Sequence, residues 1–429
     1  MARKMKDSGI EWIGEIPEGW ETINPKALFA QRKDRASKGE RQLTSSQQYG
    51  ILYQDEYMEL TGSKVVTVEK DFDILKHVET GDFVISMRSF QGGLEYSTKS
   101  GAISSAYVML VPNLELVYPR FYRWLLKSSV YIDALQRTTS MVRDGQAMRY
   151  SNFAQVRLFT LPLDEQKSRA DFLDLECSSI DKILFKTRSS IEEYKKLKQA
   201  VITQAATKGV RGEREMKDSG VEWIGKIPRE FDSVQLKFFC KLITDGTHFS
   251  PTTVENGWPY ITAGDVHGIG LDYNSAKRIS EEDFQLLVAQ GCQPLKGDVL
   301  LVKDGATTGR VGFVDSDTPC VILSSVAMLR PADNTDGHYL MYLLASDFLQ
   351  KQILVSMAGS AMPRTTLTKL TKYIGLLPPL HEQKEIANYL DAKCAEIDKL
   401  IAKKEQLVKE LESYKKSLIY EVVTGKREV

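Results

Sequence analysis

The feature that most constrains the fold of this chain is a long internal duplication. The stretch MKDSGIEWIGEIPEGWE at residues 5–21 returns as MKDSGVEWIGKIPREFD at residues 216–232. A second block, LPLDEQKSRADFLDLECSSIDKI from residue 161, returns as PPLHEQKEIANYLDAKCAEIDKL from residue 378. Repetition at a long period means that one structural unit is used twice. We therefore predict a pseudo-twofold tandem repeat built on two copies of one scaffold.

The two segments between the repeated blocks have diverged, and only short fragments agree. GDFVISMR from residue 81 matches GDVLLVKD from residue 297, and GQAMR from residue 145 matches GSAMPR from residue 359. Each segment has about 140 residues, which is enough for an independent domain. Similar scaffolds that carry different inserts indicate one task performed on two different targets.

The diverged segments have the sequence patterns of a mixed α/β fold. The apolar run at 296–302, a glycine-rich turn and a second run at 309–314 predict a strand–turn–strand unit. Residues 121–137 and 338–354 show the periodicity of helices. We therefore expect two globular domains of the α/β class, in the mixed α+β sense.

The second repeated block of each half predicts a long amphipathic helix that ends at a glycine near residue 207 or 424. A helix of about 38 residues would extend about 57 Å. A small domain does not need such a helix, so we expect the two copies to pair as an antiparallel coiled coil. Heptad spacing predicts a seam of Leu173, Ile180, Ile183, Tyr194, Leu197, Val201, Leu390, Ile397, Leu400, Leu407, Leu411, Tyr414 and Leu418.

These patterns divide the chain into four predicted parts. A first globular domain with the repeated opening phrase occupies residues 1–160, and a first long helix occupies residues 161–210. A second globular domain occupies residues 211–377, and a second long helix occupies residues 378–429. Trp12, Ile13, Trp223 and Ile224 recur in both opening phrases, so we expect them to serve the scaffold or a partner protein.

Composition and motifs exclude several classes of protein. Lys plus Arg equals Asp plus Glu at 57 each, and no apolar run approaches the roughly 20 residues that span a bilayer. The chain has five cysteines without a C-x-x-C pair, which favours reduced thiols and a cytoplasmic location. No phosphate loop, dinucleotide motif or metal-binding spacing is present, so we predict no cofactor, no metal and no catalysis by this chain alone. Glu193-Tyr-Lys195 fits the end of a nuclease motif, but the predicted coiled-coil helix explains it as a solvated face.

Three of these motifs together resemble one family. PPLHEQ at the start of a long helix, the repeated WIGxIP phrase and GDVLLVKDGATTGRVGFV are similar to the specificity subunit of type I restriction–modification systems, over essentially the whole chain. The resemblance implies that each variable segment is a target recognition domain for one half of a split, asymmetric site in double-stranded DNA. It also implies that the helices separate these domains and dock two methyltransferase subunits, and that a motor and nuclease subunit joins for restriction.

Candidate DNA-binding residues lie at strand ends and glycine-rich turns of both domains. At the strand ends of residues 81–93 and 297–310, Arg and Gln side chains suit base edges and Lys suits phosphate. The segments 145–152 and 359–366 recur in both halves, and their donors, Arg149 and Arg364 included, suit phosphate. Ordinary surface turns explain the same residues equally well, so both interpretations stay open. The candidates are Arg88, Gln91, Arg149, Ser151, Asn152, His248, Lys303, Arg310, Arg364, Thr365 and Thr366.

Charge bears on how strongly these residues can bind DNA. Residues 237–376 carry 12 Lys and Arg against 14 Asp and Glu. Phosphate affinity requires an excess of cations, so we expect partner subunits to supply much of it. Two other hypotheses remain: a DNA-recognition part of a fused methyltransferase–nuclease, and a coiled-coil scaffold for proteins only.

Overall fold

The computed structural model describes residues 3–68, 72–86, 94–138, 149–267, 270–357 and 363–429. It divides into two compact units. The first unit comprises Met1–Arg188 and Gln406–Val429, and the second comprises Ser189–Glu405. The divisions fall inside the two long helices, so each unit contains a part of both.

The first unit is built from short strands and short helices followed by a long helix. Its strands are β1 Met5–Asp7, β2 Glu15–Pro17, β3 Glu21–Ile23, β4 Phe29–Arg32, β5 Leu43–Ser46, β6 Gly50–Tyr53, β7 Lys76–Val78, β8 Phe83–Ser86, β9 Leu94–Tyr96, β10 Gly101–Ile103, β11 Tyr107–Pro112 and β12 Leu158–Thr160. Its helices are α1 Pro25–Leu28, α2 Gln54–Thr61, α3 Pro119–Leu126, α4 Ser129–Arg137, α5 Tyr150–Phe153 and the beginning of the long helix α6 Leu163–Lys208.

The second unit begins with the rest of α6 and repeats the same order of elements with additions. Its strands are β13 Met216–Asp218, β14 Lys226–Pro228, β15 Asp232–Gln235, β16 Cys240–Asp245, β17 Thr253–Val254, β18 Trp258–Ile261, β19 Val266–His267, β20 Gly270–Leu271, β21 Lys277–Ile279, β22 Val299–Val302, β23 Val311–Phe313, β24 Val321–Ile322, β25 Val326–Pro331 and β26 Ile374–Leu377. Its helices are α7 Glu281–Ala289, α8 Gly337–Ala345, α9 Asp347–Ser356, α10 Leu367–Leu370 and the start of the long helix α11 Leu380–Val423.

Each unit contains its own central four-stranded sheet, and the two sheets have the same topology. The strand order is β4-β11-β8-β9 in the first unit and β16-β25-β22-β23 in the second, and the pairs in both sheets are antiparallel. The strand–turn–strand unit predicted between residues 296 and 314 is the β22–β23 pair. Around this common sheet the units differ, because the second carries a further sheet of order β17-β21-β18-β24 and the first has the smaller pairs β5-β6 and β10-β7. The mixed α/β fold with two domains joined by long helices is thus confirmed.

The strand β22 shows why the matched fragments of the two domains are so apolar. Val299 and Leu301 belong to a core beneath α8, whereas Leu300 and Val302 belong to a second core on the opposite face. Side chains alternate between the faces of a strand, so a strand that is covered on both faces is apolar throughout. In the first unit β8 divides its side chains between two cores in the same way.

The aspartate that precedes each of these strands has a matching structural role. Asp82 and Asp298 are both about 2% exposed. Asp82 accepts a hydrogen bond of 2.6 Å from Arg32, and Asp298 accepts one of 2.8 Å from Arg330. Burial of a carboxylate is costly unless a cation and hydrogen bonds compensate it, which explains why the Gly-Asp fragment recurs with an arginine opposite.

The helical segments predicted in the diverged regions are each a pair of short helices. The break lies at Ser128 between α3 and α4, and at Ser346 between α8 and α9. The hydroxyl groups of these serines are buried and donate to the carbonyl oxygens of Leu125 at 2.7 Å and Leu343 at 2.5 Å. A serine that bonds to the preceding turn favours a helix end, and this local competition outweighs the continuous apolar periodicity.

The long helices are longer than predicted, at 46 and 44 residues. Each begins directly after a proline, Pro162 or Pro379, and therefore includes the shared Glu-Gln pair in its first turn. Beyond their C-terminal ends, Gly209 and Gly425 have φ values of 71° and 76°. This left-handed conformation is the usual glycine C-cap, as the sequence predicts.

Burial along the long helices follows a heptad pattern, but one of its two lines was predicted wrongly. Leu173, Ile180, Leu390, Ile397 and Leu418 are buried, and Tyr194, Val201 and Leu411 are half-buried. The other predicted seam residues are exposed: Ile183, Leu197, Leu400, Leu407 and Tyr414. The second buried line instead contains Ala170, Cys177, Leu184, Ile191, Ala387, Cys394 and Val422. In a heptad the buried positions alternate between spacings of three and four residues. The prediction placed the second line three residues after Ile180 and Ile397, whereas the side chains four residues after them are the more buried ones.

Candidate nucleic-acid interface and its scaffold

An ion pair joins the residues just before the opening phrase to the second repeated block in each unit. In the first unit Arg3 donates to both carboxylate oxygens of Glu165, with an Nη2–Oε2 distance of 3.0 Å. In the second unit Arg214 lies 2.6 Å from Glu382, whose side chain is 1% exposed. The sequence analysis missed this pair, although Arg3 and Arg214 are separated by the same offset as the repeated phrases.

The Glu165 carboxylate is strongly stabilised in its charged form. Burial raises its pKa, but hydrogen bonds from Arg3, Arg169 and Trp20 outweigh burial and lower the pKa from 4.5 to about 2. Trp20 donates its indole N–H at 3.1 Å, and Arg169 donates at 2.7 Å. This glutamate therefore ties the opening phrase, through Arg3 and Trp20, to the first turn of α6.

A glutamine in the next position forms the same three hydrogen bonds in both units. Gln166 accepts from the Tyr118 N–H at 2.7 Å and donates to the carbonyl oxygens of residues 116 and 161 at 2.8 Å each. Gln383 accepts from the Asp336 N–H at 2.8 Å and donates to the carbonyl oxygens of residues 334 and 378 at 2.9 and 2.8 Å. Both glutamines are fully buried. They fix each diverged segment to the start of its long helix.

The paired helices carry equivalent ion pairs. In the first unit Lys415 lies 2.6 Å from Asp181, and in the second Lys198 lies 2.6 Å from Asp398. In the first unit the next pair along α6 is Arg188 with Glu412, and in the second unit Lys404 lies over the ring of Tyr194. In both units the residue that lies farther along α6 has the partner with the lower number on α11. The helix segments are therefore antiparallel within each unit, as expected.

The four apolar residues of the opening phrases differ in exposure between the copies. Ile13 and Ile224 are 2% and 9% exposed, and Trp12 packs edge-on against Tyr131 at 5.4 Å. Trp223, in contrast, is 60% exposed. It lines an open apolar cleft of about 500 Å³ together with residues of α9.

Three segments that carry candidate DNA-binding residues lie together in the second unit, at the end of β22. The loop after β22 bonds to the segment before α10, since the Gly305 N–H donates to the Pro363 carbonyl at 3.0 Å and the Thr365 N–H donates to the Lys303 carbonyl at 2.9 Å. The end of β16 joins them through Asp245, whose carboxylate lies 3.2 Å from the Lys303 ammonium. Segments that are 60 residues apart in sequence thus form one surface.

Ionisable side chains on this surface form a single network. Lys303 is at its centre, with its side chain 4% exposed, and lies 3.2 Å from Asp245 and 3.0 Å from Asp304. Beyond Asp245 lies His248 at 3.9 Å, and beyond Asp304 lies Arg364 at 2.9 Å. The side chains of His248 and Arg364 are 73% and 60% exposed. We call these five residues the second-unit network.

Two of the predicted DNA contacts, Lys303 and Thr365, are buried and contradict the prediction. Lys303 is buried between two carboxylates and cannot reach a phosphate without breaking both pairs. Thr365 is fully buried, and its hydroxyl lies 2.6 Å from that of Tyr373. The neighbouring Thr366 is exposed, but its hydroxyl accepts from the Lys369 N–H at 3.3 Å and caps α10. Arg310 is exposed, as a DNA contact requires.

In the first unit the candidates are described only in part. Arg88 and Gln91 lie outside the described residues. Arg149 and Ser151 are exposed at the start of α5. The amide of Asn152 is committed to the fold, because it accepts from the Arg149 N–H at 2.9 Å and donates to the Thr138 carbonyl at 2.7 Å.

Two searches of the described residues gave negative results. Across the described ranges, no group of three or more His, Cys, Asp or Glu side chains could hold a metal ion. Within the same part of the chain, no helix is both long and apolar enough to cross a membrane.

Comparison with known proteins gives consistent matches. A family model described as the type I restriction modification DNA specificity domain matches residues 228–410. The type I restriction enzyme MjaVIII specificity subunit of Methanocaldococcus jannaschii is 26% identical over 362 residues, which cover 81% of this chain and 80% of that protein. The putative MjaX specificity subunit of the same organism is 23% identical over 440 residues, which cover 96% of this chain and 95% of that protein.

A solved structure shares the fold over nearly the whole chain. It comes from work on complex assembly and conformational transition in the type I restriction–modification system. The match has a TM-score of 0.72 at 16% identity and covers 96% of this chain and 99% of that chain.

Proposed function

Because the chain belongs to the family of type I restriction–modification specificity subunits, we propose that each unit binds one half of a bipartite, asymmetric DNA site. The chain recognises DNA sequence. Dimeric proteins with twofold symmetry bind palindromes whose half-sites repeat the symmetry of the protein. A single chain with two similar but diverged units should bind two unlike half-sites at a fixed separation.

The observation that supports this proposal is the contrast between the constant junction and the variable surface. Glu165 and Gln166 repeat their contacts at Glu382 and Gln383. The surfaces that these junctions hold have different residues, and the sheets added to the common central sheet differ as well. A protein-only scaffold does not require that difference, whereas two different base sequences do.

We further propose that the paired helices set the gap between half-sites and dock two methyltransferase subunits, with a motor and nuclease subunit added for restriction. The partners then supply catalysis, and this chain supplies the choice of site. Of the four apolar residues in the opening phrases, Trp223 is the one whose exposure suits contact with a methyltransferase subunit. Trp12, Ile13 and Ile224 are engaged within their own units.

The test is to sequence the methylome of a host that expresses this chain with its methyltransferase, and of a host that expresses the methyltransferase alone. We expect a split, asymmetric methylated motif only when this chain is present. Exchange of residues 233–377 for the matching segment of a relative should change one half of the motif and leave the other half and the gap unchanged. A soluble complex that produces no motif would contradict the proposal and favour a protein-only scaffold.

A further inference from the structure

The second-unit network ends in an exposed guanidinium that an ion pair restrains. The Nε atom of Arg364 lies 2.9 Å from a carboxylate oxygen of Asp304. The backbones of these two residues also form an antiparallel bridge. Asp304 is in turn held by Lys303, whose side chain is only 4% exposed. Arg364 is therefore attached to the core through two successive ion pairs, although its own side chain is 60% exposed.

The geometry of this pair determines which donors remain for a ligand. A guanidinium presents five N–H donors in a rigid planar fork. Nε is the guanidinium nitrogen that lies beside Asp304, in an ion pair without hydrogen-bond geometry, so the terminal Nη atoms are the donors left for a ligand. Two parallel N–H groups match the O6 and N7 acceptors of guanine in the major groove. A side chain held in its binding conformation also loses less conformational entropy on binding.

The charges of the network decide between a base and a phosphate as the ligand. Two cations, Lys303 and Arg364, face two carboxylates, Asp245 and Asp304. Phosphate affinity comes from uncompensated cations that displace counterions, and a carboxylate beside Arg364 repels a phosphate. The edge of a guanine is uncharged and accepts hydrogen bonds, so it suits a neutral network that presents donors.

Building on the proposed function, we propose that Arg364 contacts one guanine in the half-site of the second unit and that Asp304 is its positioning residue. This replaces the phosphate contact that the sequence suggested for Arg364. The arrangement belongs to the second unit, because the aligned fragments place Arg88 where Asp304 stands. Its loss should therefore affect one base pair in one half-site.

The experiment uses the full chain coexpressed with its methyltransferase. Methylomes are sequenced, and the purified complex is titrated with the wild-type duplex and with duplexes substituted at each guanine of the half-site, at several salt concentrations. We expect Arg364→Ala to reduce discrimination at one G·C pair by about 5- to 150-fold. The dependence of affinity on salt should stay unchanged, because no phosphate contact is lost.

Two further variants separate readout from a loss of folding. Arg364→Lys keeps the charge but removes the fork, and should lose discrimination at the same base pair. Asp304→Asn removes one negative charge, so we expect weaker discrimination at that pair together with tighter binding to a non-specific duplex. A purely structural role for Asp304 would not move these quantities in opposite directions. Arg229→Ala, which removes an exposed arginine paired with Glu215, is the matched control and should leave the motif unchanged.

Several results would overturn the inference. A uniform loss of affinity for all duplexes, with the salt slope reduced by about one, would make Arg364 a phosphate contact. A half-site without guanine, or a motif that Arg364→Ala leaves intact, would exclude the guanine contact while the proposed function stands. A wild-type chain that produces no bipartite motif would overturn both.

Discussion

The two units build the same junction with different chemistry around it. In the first unit Arg169 is 1% exposed and donates to Glu165 and to the carbonyl oxygens of Val422 and Arg427. In the second unit Ile386 occupies the matching position and is fully buried. The ion pair between the opening phrase and the long helix is present in both. The junction therefore requires that pair, whereas the next helical turn accepts either a satisfied charge or an apolar side chain.

The largest effect is expected from Arg169→Ala. The change removes one donor from the buried Val422 carbonyl, from the part-buried Arg427 carbonyl and from Glu165, and removal of one partner from a buried ion pair costs about 3–5 kcal/mol. Calorimetry together with hydrogen exchange, followed separately in the two units, would measure the loss. We expect it in the first unit only. Arg169→Ile copies the second unit and should recover part of the loss by filling the volume; equal stability of Arg169→Ala and wild type would contradict the comparison.

Replacement of the buried glutamines should show where the two units are alike. Gln166→Ala and Gln383→Ala each remove one buried and two part-buried hydrogen bonds to backbone groups, which we expect to cost about 2–4 kcal/mol in the affected unit. Urea unfolding monitored by hydrogen exchange would resolve the units. Gln406→Ala, on the exposed face of α11, serves as the control. A large difference between the two glutamine variants would show that the junctions are not equivalent.

The first junction should also be sensitive to acid. The folded state holds the pKa of Glu165 near 2 instead of 4.5, so its stabilising contribution is present above pH 5 and is lost as the pH falls towards 2. Linkage gives up to about 3 kcal/mol for a pKa difference of this size. Urea midpoints of wild type and Glu165→Gln should therefore converge between pH 5 and pH 2. A constant difference over that range would contradict the assignment, and Glu192→Gln, which removes an exposed carboxylate on the same helix, is the control.

The smallest effect is expected from the ion pairs between the helices. Asp181→Asn in the first unit and Asp398→Asn in the second each remove a partly exposed pair, and such pairs contribute less than about 1 kcal/mol. Thermal unfolding at low and at high salt would measure this contribution. We expect similar small losses that disappear at high salt. A loss that persists at high salt would show that these aspartates contribute more than a screened surface pair.

The sequence predicted those parts of the molecule that are local or repeated. The duplication is visible when distant blocks of the sequence are compared. Nearby residues predict the strand pair around residues 297–313 and the glycines that end the long helices. The role of Lys303 could not be predicted, because its partner Asp245 lies 58 positions earlier and only the folded sheet brings them together. The second buried line of the helix seam was predicted wrongly for a different reason. Leu400 and Leu407 are followed by the apolar residues Ile401 and Val408, so the sequence pattern alone does not distinguish a spacing of three residues from one of four.

The division of the chain into units has a consequence for biosynthesis. The second unit is one continuous stretch, Ser189–Glu405, whereas the first requires Gln406–Val429 in addition to Met1–Arg188. Leu418, Val422 and Val423 are members of the core of the first unit. At about 5–20 residues per second on the ribosome, the earlier-made part must wait for ten seconds or more before its core is complete. The unit that emerges second can therefore finish folding first, and the first remains exposed to chaperones and proteases until the last helix segment has been made.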